Sequence, residues 1–137
     1  MLDYTSHWML EIQRQGADAS YFGDAFALYG AARRLGLDVD IVGPDAPLDG
    51  RSLVLVPALL AADETLARRL AAAPCQVVIG ARSGSKSGDF RIAEGLPPGP
   101  LADGAGLRVR SVESLRPGVS MRVRGAALAG HARAWRE

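Results

Sequence analysis

Three serines and the chain's one lysine lie close together in a glycine-rich stretch, and these residue types bind phosphate or serve as nucleophiles. The stretch runs from Gly80 to Gly88, directly after the apolar run Val77–Ile79. From Gly80 onward it fits the phosphate-binding pattern G-x-x-x-x-G-K-[ST], except that Ser85 occupies the second glycine position. That pattern also needs a helix directly after it, whose N-terminal amides hold the phosphate. Several glycines and prolines between residues 88 and 99 oppose such a helix, so the sequence argues against nucleotide binding.

The same stretch holds a serine and a lysine, Ser83 and Lys86, at the S-x-x-K spacing of penicillin-binding enzymes. That chemistry needs the two side chains one helical turn apart, with S-D-N and K-T-G motifs elsewhere in the chain. Neither companion motif occurs in this sequence, and Gly84 disfavours a helix between the two residues. We therefore regard the spacing as coincidental.

Other residues that could do chemistry are isolated from one another. The histidines His7 and His131 lack the cysteine or acidic companions of a zinc site. A cysteine nucleophile of the amidotransferase type would follow a strand, but Ala81 follows the predicted strand 76–80 and Cys75 precedes it. The glutamates that could supply the carboxylate pair of a glycosidase lie on scattered segments. They are Glu11, Glu64, Glu94 and Glu113. We expect no catalytic residue, no metal and no cofactor.

The composition limits the class of protein. A chain of 137 residues that is 48% hydrophobic suits one globular domain. Its net charge of +1 and its lack of an apolar run of membrane-spanning length predict neither a nucleic-acid nor a membrane partner. A single cysteine excludes an internal disulfide and favours a cytoplasmic location.

Helix and strand patterns alternate along the chain, and these elements must position the residues above. Helices are predicted over Thr5–Gln13 with Thr5 or Ser6 as N-cap, over Ser20–Leu35 with Ser20 as N-cap, and from the cap Asp63 to Ala73. Strands are predicted at residues 38–42, 52–56, 76–80, 107–112 and 119–123. Residues 89–106 are predicted to be irregular, with a short turn near Leu101, and the tail 126–137 to be weakly helical at best. The alternation is typical of an α/β sheet with helical crossovers.

The second predicted helix has two apolar stripes at helical spacing. One of them contains Phe22, Phe26 and Tyr29. Two adjacent stripes are wider than one contact with a sheet requires. Either neighbouring elements of the same domain bury this helix, or it forms part of a subunit interface.

Five stretches of the chain, taken in order, carry a family resemblance. The first is Leu2-Asp-Tyr-Thr-Ser-His-Trp-Met-Leu-Glu-Ile-Gln-Arg-Gln-Gly-Ala-Asp18. The others are Leu35-Gly-Leu-Asp-Val-Asp-Ile-Val42, Leu55-Val-Pro57, Arg82-Ser-Gly-Ser-Lys86 and Leu96-Pro-Pro-Gly-Pro-Leu101. Their joint order resembles the trimerisation domain of family 42 β-galactosidases over nearly the whole chain.

The resemblance implies a flavodoxin-like α/β fold, similar also to class I glutamine amidotransferases, with a mostly parallel sheet flanked by helices. In those β-galactosidases the domain follows a TIM barrel that carries the two catalytic glutamates, and it holds three subunits together. Residues 1–137 contain no such barrel, and relative to the family we expect the domain to be truncated at both ends, near Leu2 and beyond Glu137. We therefore expect a single non-catalytic assembly domain that forms a homotrimer and contacts the barrel of a β-galactosidase.

Six residues are candidates for the subunit interface. Arg82 and Lys86 are candidates because they lie in the loop after a predicted strand, where α/β sheets carry functional groups. The aromatic candidates are chosen because exposed aromatic side chains anchor interfaces, although Trp8 would equally suit the core. They are Trp8, Phe22, Phe26 and Tyr29. The alternative hypothesis is a small flavodoxin-like enzyme, or an anion-binding protein that uses the Ser83–Lys86 loop.

Overall fold

The computed structural model describes residues 1–125 and 129–137, which form helices joined to short strands. The helices are α1 (Tyr4–Ile12), α2 (Tyr21–Arg34), α3 (Glu64–Ala71) and α4 (Ala102–Ala105), the last of which continues a 3₁₀ turn over Gly99–Leu101. The strands are β1 (Leu53–Val56), β2 (Gln76–Ile79), β3 (Glu113–Ser114), β4 (Met121–Arg124), β5 (Ala129–Ala132) and β6 (Trp135–Arg136). Among the described residues, no helix has the length and apolar character needed to span a membrane.

The second and third helices begin at the caps that the sequence predicts. The Ser20 hydroxyl accepts a hydrogen bond from the backbone N–H of Gly23 at 3.1 Å, at the start of α2. The Asp63 carboxylate accepts one from the N–H of Leu66 at 2.7 Å, at the start of α3. Both caps satisfy an N–H group that has no partner within its own helix.

The first helix begins earlier than predicted, because its cap is an acidic residue. Asp3 accepts hydrogen bonds from the N–H groups of Thr5 (3.2 Å) and Ser6 (2.8 Å). The prediction of Thr5 or Ser6 as the cap was therefore wrong. A carboxylate at this end of a helix also interacts favourably with the helix dipole, which a hydroxyl does only weakly.

One strand–helix–strand unit lies at the centre of the chain. The strands β1 and β2 pair in parallel, with Leu53 opposite Gln76 and Val56 opposite Ile79, and α3 connects them. The predicted strands 52–56 and 76–80 and the predicted helix after Asp63 are confirmed to within two residues at each end.

The predicted flavodoxin-like fold, with a mostly parallel sheet flanked by helices, is wrong. The described residues form three sheets of two strands each, in the pairs β1–β2, β3–β6 and β4–β5. The first pair is parallel and the other two are antiparallel. No extended parallel sheet occurs within residues 1–125 and 129–137.

Two predicted strands account for this difference. Residues 38–42 and 107–112 alternate in polarity but lie outside every strand of the structure. The first segment accepts a hydrogen bond from Leu2 N–H at the Val42 carbonyl (2.7 Å), and the second donates one from Val109 N–H to Pro97 (2.7 Å). Alternation predicts which face of an extended segment is apolar, but a strand also needs a partner backbone along its length.

Residues 129–137 of the C-terminal tail form two short strands, although the sequence predicts the tail 126–137 to be weakly helical at best. Residues 126–128 of that tail lie outside the described part of the chain. The remainder contains β5 and β6, which pair with β4 and β3 respectively. The predicted strand 119–123 corresponds to β4, which begins two residues later and ends one residue later. The short turn predicted near Leu101 is confirmed.

The hydrophobic core consists of two clusters. The first joins α1 and the start of α2 to the segment after β1 and to the C-terminal tail. Its members are Met9, Leu10, Ala19, Tyr21, Ala58, Leu60 and Trp135. The second lies between β1, α3 and the 3₁₀ turn. Its members are Leu48, Val54, Val56, Leu59, Ala67, Leu70 and Leu101.

Candidate functional site

The loop from Gly80 to Gly88 is pressed against two other backbone segments, and two of its glycines make this possible. A side chain at Gly80 would overlap the carbonyl oxygen of Pro57, and one at Gly84 would overlap that of Pro98. Gly84 also has a φ of +65°, which disfavours any residue with a side chain. Tight backbone packing therefore fixes the course of this loop.

Two of the three serines of the loop, Ser83 and Ser85, form hydrogen bonds with the backbone. Ser83 Oγ donates to the Gly80 carbonyl at 2.8 Å and accepts from the Leu59 N–H at 3.0 Å. Ser85 Oγ donates to the Arg82 carbonyl at 2.6 Å. Both side chains are buried, and these hydrogen bonds are those expected of structural serines in turns.

The two cations of the loop bind glutamines that follow α1. Lys86 Nζ donates to Gln13 Oε1 at 2.7 Å and lies 5.1 Å from the centre of the Phe90 ring, while only 8% of Lys86 is exposed. The Arg82 guanidinium donates to Gln15 and lies 3.8 Å from a carboxylate oxygen of Glu137. Burial lowers the pKa of Arg82, and the nearby Glu137 carboxylate acts in the opposite direction.

These contacts favour a structural role for the loop over anion binding. A phosphate site needs unpaired donors that converge on one point, whereas Ser83, Ser85 and Lys86 each donate to an acceptor within the chain. No helix begins within residues 87–98, which are all described. Sequence reasoning missed Gln13 and Gln15, although both belong to the first stretch that carries the family resemblance.

The other residues considered for chemistry lie apart from one another. His7 packs against Phe22, with ring centres 4.4 Å apart, and its buried Nδ1 has no hydrogen-bond partner among the described residues. His131 lies on β5 and Cys75 directly before β2. Within the described ranges, no group of three histidine, cysteine, aspartate or glutamate side chains could hold a metal ion.

Exposed aromatic side chains lie on one side of α1 and α2. We call this surface the aromatic ridge. It comprises Tyr4 (58% exposed), Trp8 (60%), Phe22 (43%), Phe26 (73%) and Tyr29 (37%). The rings form two groups: Tyr4 lies 6.3 Å from Trp8 and 6.2 Å from Phe22, while Phe26 stacks on Tyr29 at 6.3 Å.

The structure thus places four of the six predicted interface residues together on this ridge. The exposure of Trp8 shows that its alternative, a place in the core, was wrong. Tyr4 was missed, although its spacing of four residues from Trp8 places both rings on one face of a helix. Arg82 and Lys86 lie elsewhere, in the loop described above, with their side chains largely covered.

An apolar groove of about 690 Å³ runs beside the ridge. Phe22, Phe26 and Tyr29 line it together with Ile41 and Leu55. Because the groove joins an exposed aromatic surface, the apolar area on this side of the molecule extends beyond the rings themselves. Contiguous apolar surfaces of this kind are typical of binding sites for other proteins.

Comparison with known proteins gives a consistent result. The sequence profile of a family described as "Beta-galactosidase trimerisation domain" matches residues 1–137. A β-galactosidase of Thermus thermophilus is 45% identical over 119 residues, which cover 87% of this chain and 18% of that protein. The β-galactosidase Bga of Halorubrum lacusprofundi is 39% identical over 118 residues, covering 84% of this chain and 17% of its own length.

Two solved structures are also similar. The crystal structure of a β-galactosidase from the psychrophilic Marinomonas ef1 matches with a TM-score of 0.93 and 38% identity, over 98% of this chain and 21% of that one. The polyextremophilic β-galactosidase of the Antarctic haloarchaeon Halorubrum lacusprofundi matches with a TM-score of 0.86 and 34% identity, over 98% of this chain and 20% of that one. The chain therefore spans about a fifth of the length of each of these relatives.

Proposed function

Since the chain belongs to the β-galactosidase trimerisation domain family, as its sequence resemblance predicts, we propose that residues 1–137 form a single assembly domain. Its role is to hold copies of a β-galactosidase together as a homotrimer, beside the TIM barrel that carries out hydrolysis of terminal β-D-galactosides. The surface that supports this proposal most directly is the aromatic ridge.

The physical argument rests on the exposure of the ridge. Five aromatic residues on two adjacent helices are each at least 37% exposed, and two of them, Trp8 and Phe26, at least 60%. Removing apolar area from water stabilises an association by about 25 cal/mol per Å². Tryptophan and tyrosine in the centre of an interface account for much of its binding energy. Association with a neighbouring copy would remove these rings from water.

Arg82 and Lys86 would contribute to assembly indirectly. Their side chains are held by Gln15 and Gln13, so they would act by fixing the loop 80–88 rather than by reaching out to a neighbour. Arg82 and Lys86 hold this loop in place, and we propose that the exposed surface of the loop contacts a neighbouring subunit or its barrel.

We also propose that the chain alone is not catalytic. A glycosidase needs two carboxyl groups that flank one sugar bond in a cleft, one protonated and one ionised. Among the described residues, the cleft between β1 and residues 38–42 is lined by two carboxylates, Asp38 and Asp40. Each is paired with an arginine, Arg33 at 3.3 Å and Arg51 at 3.0 Å respectively. Both carboxylates of this cleft are therefore engaged in ion pairs within the chain.

A free Cys75 in a half-buried position suits a reducing compartment, and we propose that the protein acts in the cytoplasm.

Sedimentation velocity of the pure 137-residue chain tests the assembly role. We expect a species of three chains that forms as the protein concentration rises. The double variant Trp8→Ala/Phe26→Ala should raise the dissociation constant at least about tenfold. The matched control is Ile92→Ala/Leu107→Ala, which removes two exposed apolar side chains outside the ridge (82% and 53% exposed) and should leave association unchanged. A wild-type chain that stays monomeric at the highest soluble concentration would contradict the proposal.

A chromogenic β-galactoside tests the absence of catalysis. The pure chain should give no turnover above the buffer control. Activity that co-purifies with the chain through two unrelated separations would overturn this part of the proposal and leave the assembly role standing.

A further inference from the structure

The charges of the chain are divided unevenly along its length. Residues 107–137 contain seven arginines and two glutamates, a net charge of +5. Residues 1–106 contain nine basic and thirteen acidic residues, a net charge of −4. The chain is nearly neutral as a whole, so its two parts attract each other, whether within one copy or between copies.

The basic part includes the exposed antiparallel strand pair β4–β5, for which we use the word hairpin in the sense of these two strands alone. The strands β4 and β5 pair so that Arg122 faces His131 and Arg124 faces Ala129 on one side, and Val123 faces Gly130 on the other. Arg122, Arg124 and His131 are all exposed. We call the side formed by these residues the basic face of the hairpin.

The basic face has no partner in the described part of the chain. The two strands pack chiefly against each other, and neither contributes to the two core clusters. Neither Arg122 nor Arg124 forms an ion pair with a described carboxylate. A two-stranded hairpin is only marginally stable in water by itself, so a docking surface would stabilise it.

The aromatic ridge has the complementary properties. Residues 1–29, which include the ridge, contain four acidic residues and one basic residue. Glu11 lies one helical turn from Trp8, on the exposed side of α1, where it is paired with Arg14 at 2.5 Å. Arginine guanidinium groups stack on tryptophan and tyrosine rings through cation–π attraction. An exposed aromatic surface in a segment of net negative charge is therefore a suitable partner for a pair of arginines.

We propose that the basic face of the hairpin in one copy of the chain docks on the aromatic ridge of a second copy. The inference rests on the proposed trimer. A threefold ring is built from heterologous contacts, in which two different surfaces of each copy meet. The ridge and the basic face are two such surfaces, and each copy would offer one to each of its neighbours. Arg122 and Arg124 lie over the rings of Tyr4 and Trp8, with Glu11 at the edge of the contact.

Charge reversal on the hairpin tests this docking, and the chain supplies a matched control. The sequence Arg-Val-Arg occurs twice, at residues 108–110 and at residues 122–124. We expect Arg122→Glu/Arg124→Glu to raise the dissociation constant of the trimer at least about tenfold, while Arg108→Glu/Arg110→Glu, with the same change in charge, leaves it within about twofold. Circular dichroism and thermal unfolding confirm that each variant folds, and Arg122→Gln/Arg124→Gln provides a milder substitution. Equal weakening by both reversals would overturn the inference, because it would indicate an effect of net charge alone.

Mixing two defective variants identifies the partner of the hairpin. Trp8→Ala/Phe26→Ala keeps its hairpin, and Arg122→Glu/Arg124→Glu keeps its ridge. Neither variant should associate alone. If the two surfaces bind each other, the intact hairpin of the first variant should bind the intact ridge of the second. The mixture should then contain a dimer of one chain of each kind, which cannot close into a ring. The absence of this mixed species would overturn the inference, since the ridge and the hairpin would then bind something other than each other.

These outcomes separate the inference from the proposed function. If the wild-type chain and the hairpin charge reversal associate equally well, the docking inference is overturned, while the proposed trimer still stands. If the wild-type chain never associates, both the docking inference and the proposed trimer are overturned. Tight binding of the wild-type hairpin to an anionic polymer such as heparin, with no effect of the reversal on trimer formation, would assign the basic face to a different partner and overturn the docking.

Discussion

The side chains of the loop 80–88 resemble a phosphate-binding or catalytic motif in sequence, but in the structure they stabilise the fold. Ser83, Ser85 and Lys86 have the types and nearly the spacing of a phosphate site, yet each donates its hydrogen bond to an acceptor in the same chain. The sequence predicts where the loop lies, because a strand precedes it. It does not predict that Gln13, more than seventy residues away, reaches the lysine, since that contact depends on how α1 packs.

A substitution at Lys86 tests how much this side chain stabilises the fold, separately from the rest of the loop. Lys86→Met keeps the aliphatic length and removes the charged hydrogen bond to Gln13, so the free energy of unfolding should fall by about 1–3 kcal/mol in urea titrations. Arg91→Met, at an exposed ion pair, should cost less than about 1 kcal/mol. Millimolar phosphate should leave the melting temperature of the wild type unchanged. A phosphate-induced rise that disappears in Lys86→Met would favour the anion-binding alternative.

Gly84 should tolerate no side chain. Because its φ is +65° and a Cβ would overlap Pro98, we expect Gly84→Ala to lower the free energy of unfolding by about 2 kcal/mol or more. Gly88→Ala is the control: its Cβ would meet open space, so the change should lie within about 1 kcal/mol. Similar losses in the two variants would show that the close approach at Gly84 contributes little.

Tyr21 should make stability depend on alkaline pH. Burial raises the pKa of Tyr21 to about 12, and its hydroxyl accepts a hydrogen bond from the Asp3 N–H at 2.5 Å. The unfolded chain would lose this proton near pH 10 and the folded chain near pH 12. Stability should therefore fall as pH rises between these values, by about 2 kcal/mol. Tyr21→Phe should remove this part of the fall, while Tyr29→Phe, on the exposed ridge, should keep it. Identical pH profiles for the wild type and Tyr21→Phe would contradict the assignment.

The helices of this chain are predicted more accurately from the sequence than the strands are. The caps Ser20 and Asp63 follow from local patterns, and both are confirmed. The segments 38–42 and 107–112 have an equally regular pattern but are not strands. A helix satisfies most of its backbone hydrogen bonds within itself, whereas a strand depends on a partner that its own residues do not specify. The same reason explains why the predicted extended parallel sheet was wrong.

The start of α1 is linked to the core through two side chains. Asp3 caps the helix and accepts from Ser6 Oγ at 2.5 Å, and Ser6 Oγ in turn accepts from the Leu60 N–H at 2.9 Å. Because Ser6 is fully buried, Asp3→Ala would leave its hydroxyl without an acceptor. We expect a loss of about 2–3 kcal/mol in the free energy of unfolding, against about 1 kcal/mol for the simpler cap removed by Asp63→Ala. Equal losses would show that the Asp3–Ser6 link adds nothing to the cap.

At the scale of the whole molecule, the proposed assembly role depends on an exposed aromatic surface rather than on a catalytic pocket. Sequence resemblance identified the family, and the family is confirmed. Helical spacing identified three aromatic residues on α2, but spacing does not reveal whether a stripe faces the core or water. Only the packing of α1 against α2 shows that Tyr4 and Trp8 extend the same surface.

Self-association should make thermal stability depend on concentration. If copies bind one another only when folded, the melting temperature should rise with protein concentration by mass action. Calorimetry over a hundredfold range of concentration would show this rise for the wild type and a flatter dependence for Trp8→Ala/Phe26→Ala. Equal concentration dependence in the two proteins would place the self-association outside the ridge.

The contact of Trp135 with the first helix has a consequence for synthesis on the ribosome. Trp135 belongs to the same core cluster as Met9 and Leu10, and its indole N–H donates to the Gln15 carbonyl at 2.9 Å. During synthesis, α1 therefore cannot complete its packing until residue 135 has left the ribosome, because contacts between distant residues form late. Until then, the cluster that contains Met9 and Leu10 stays open to water on one side. Trp135 thus makes the packing of the first helix depend on a residue that is synthesised 120 positions after Gln15.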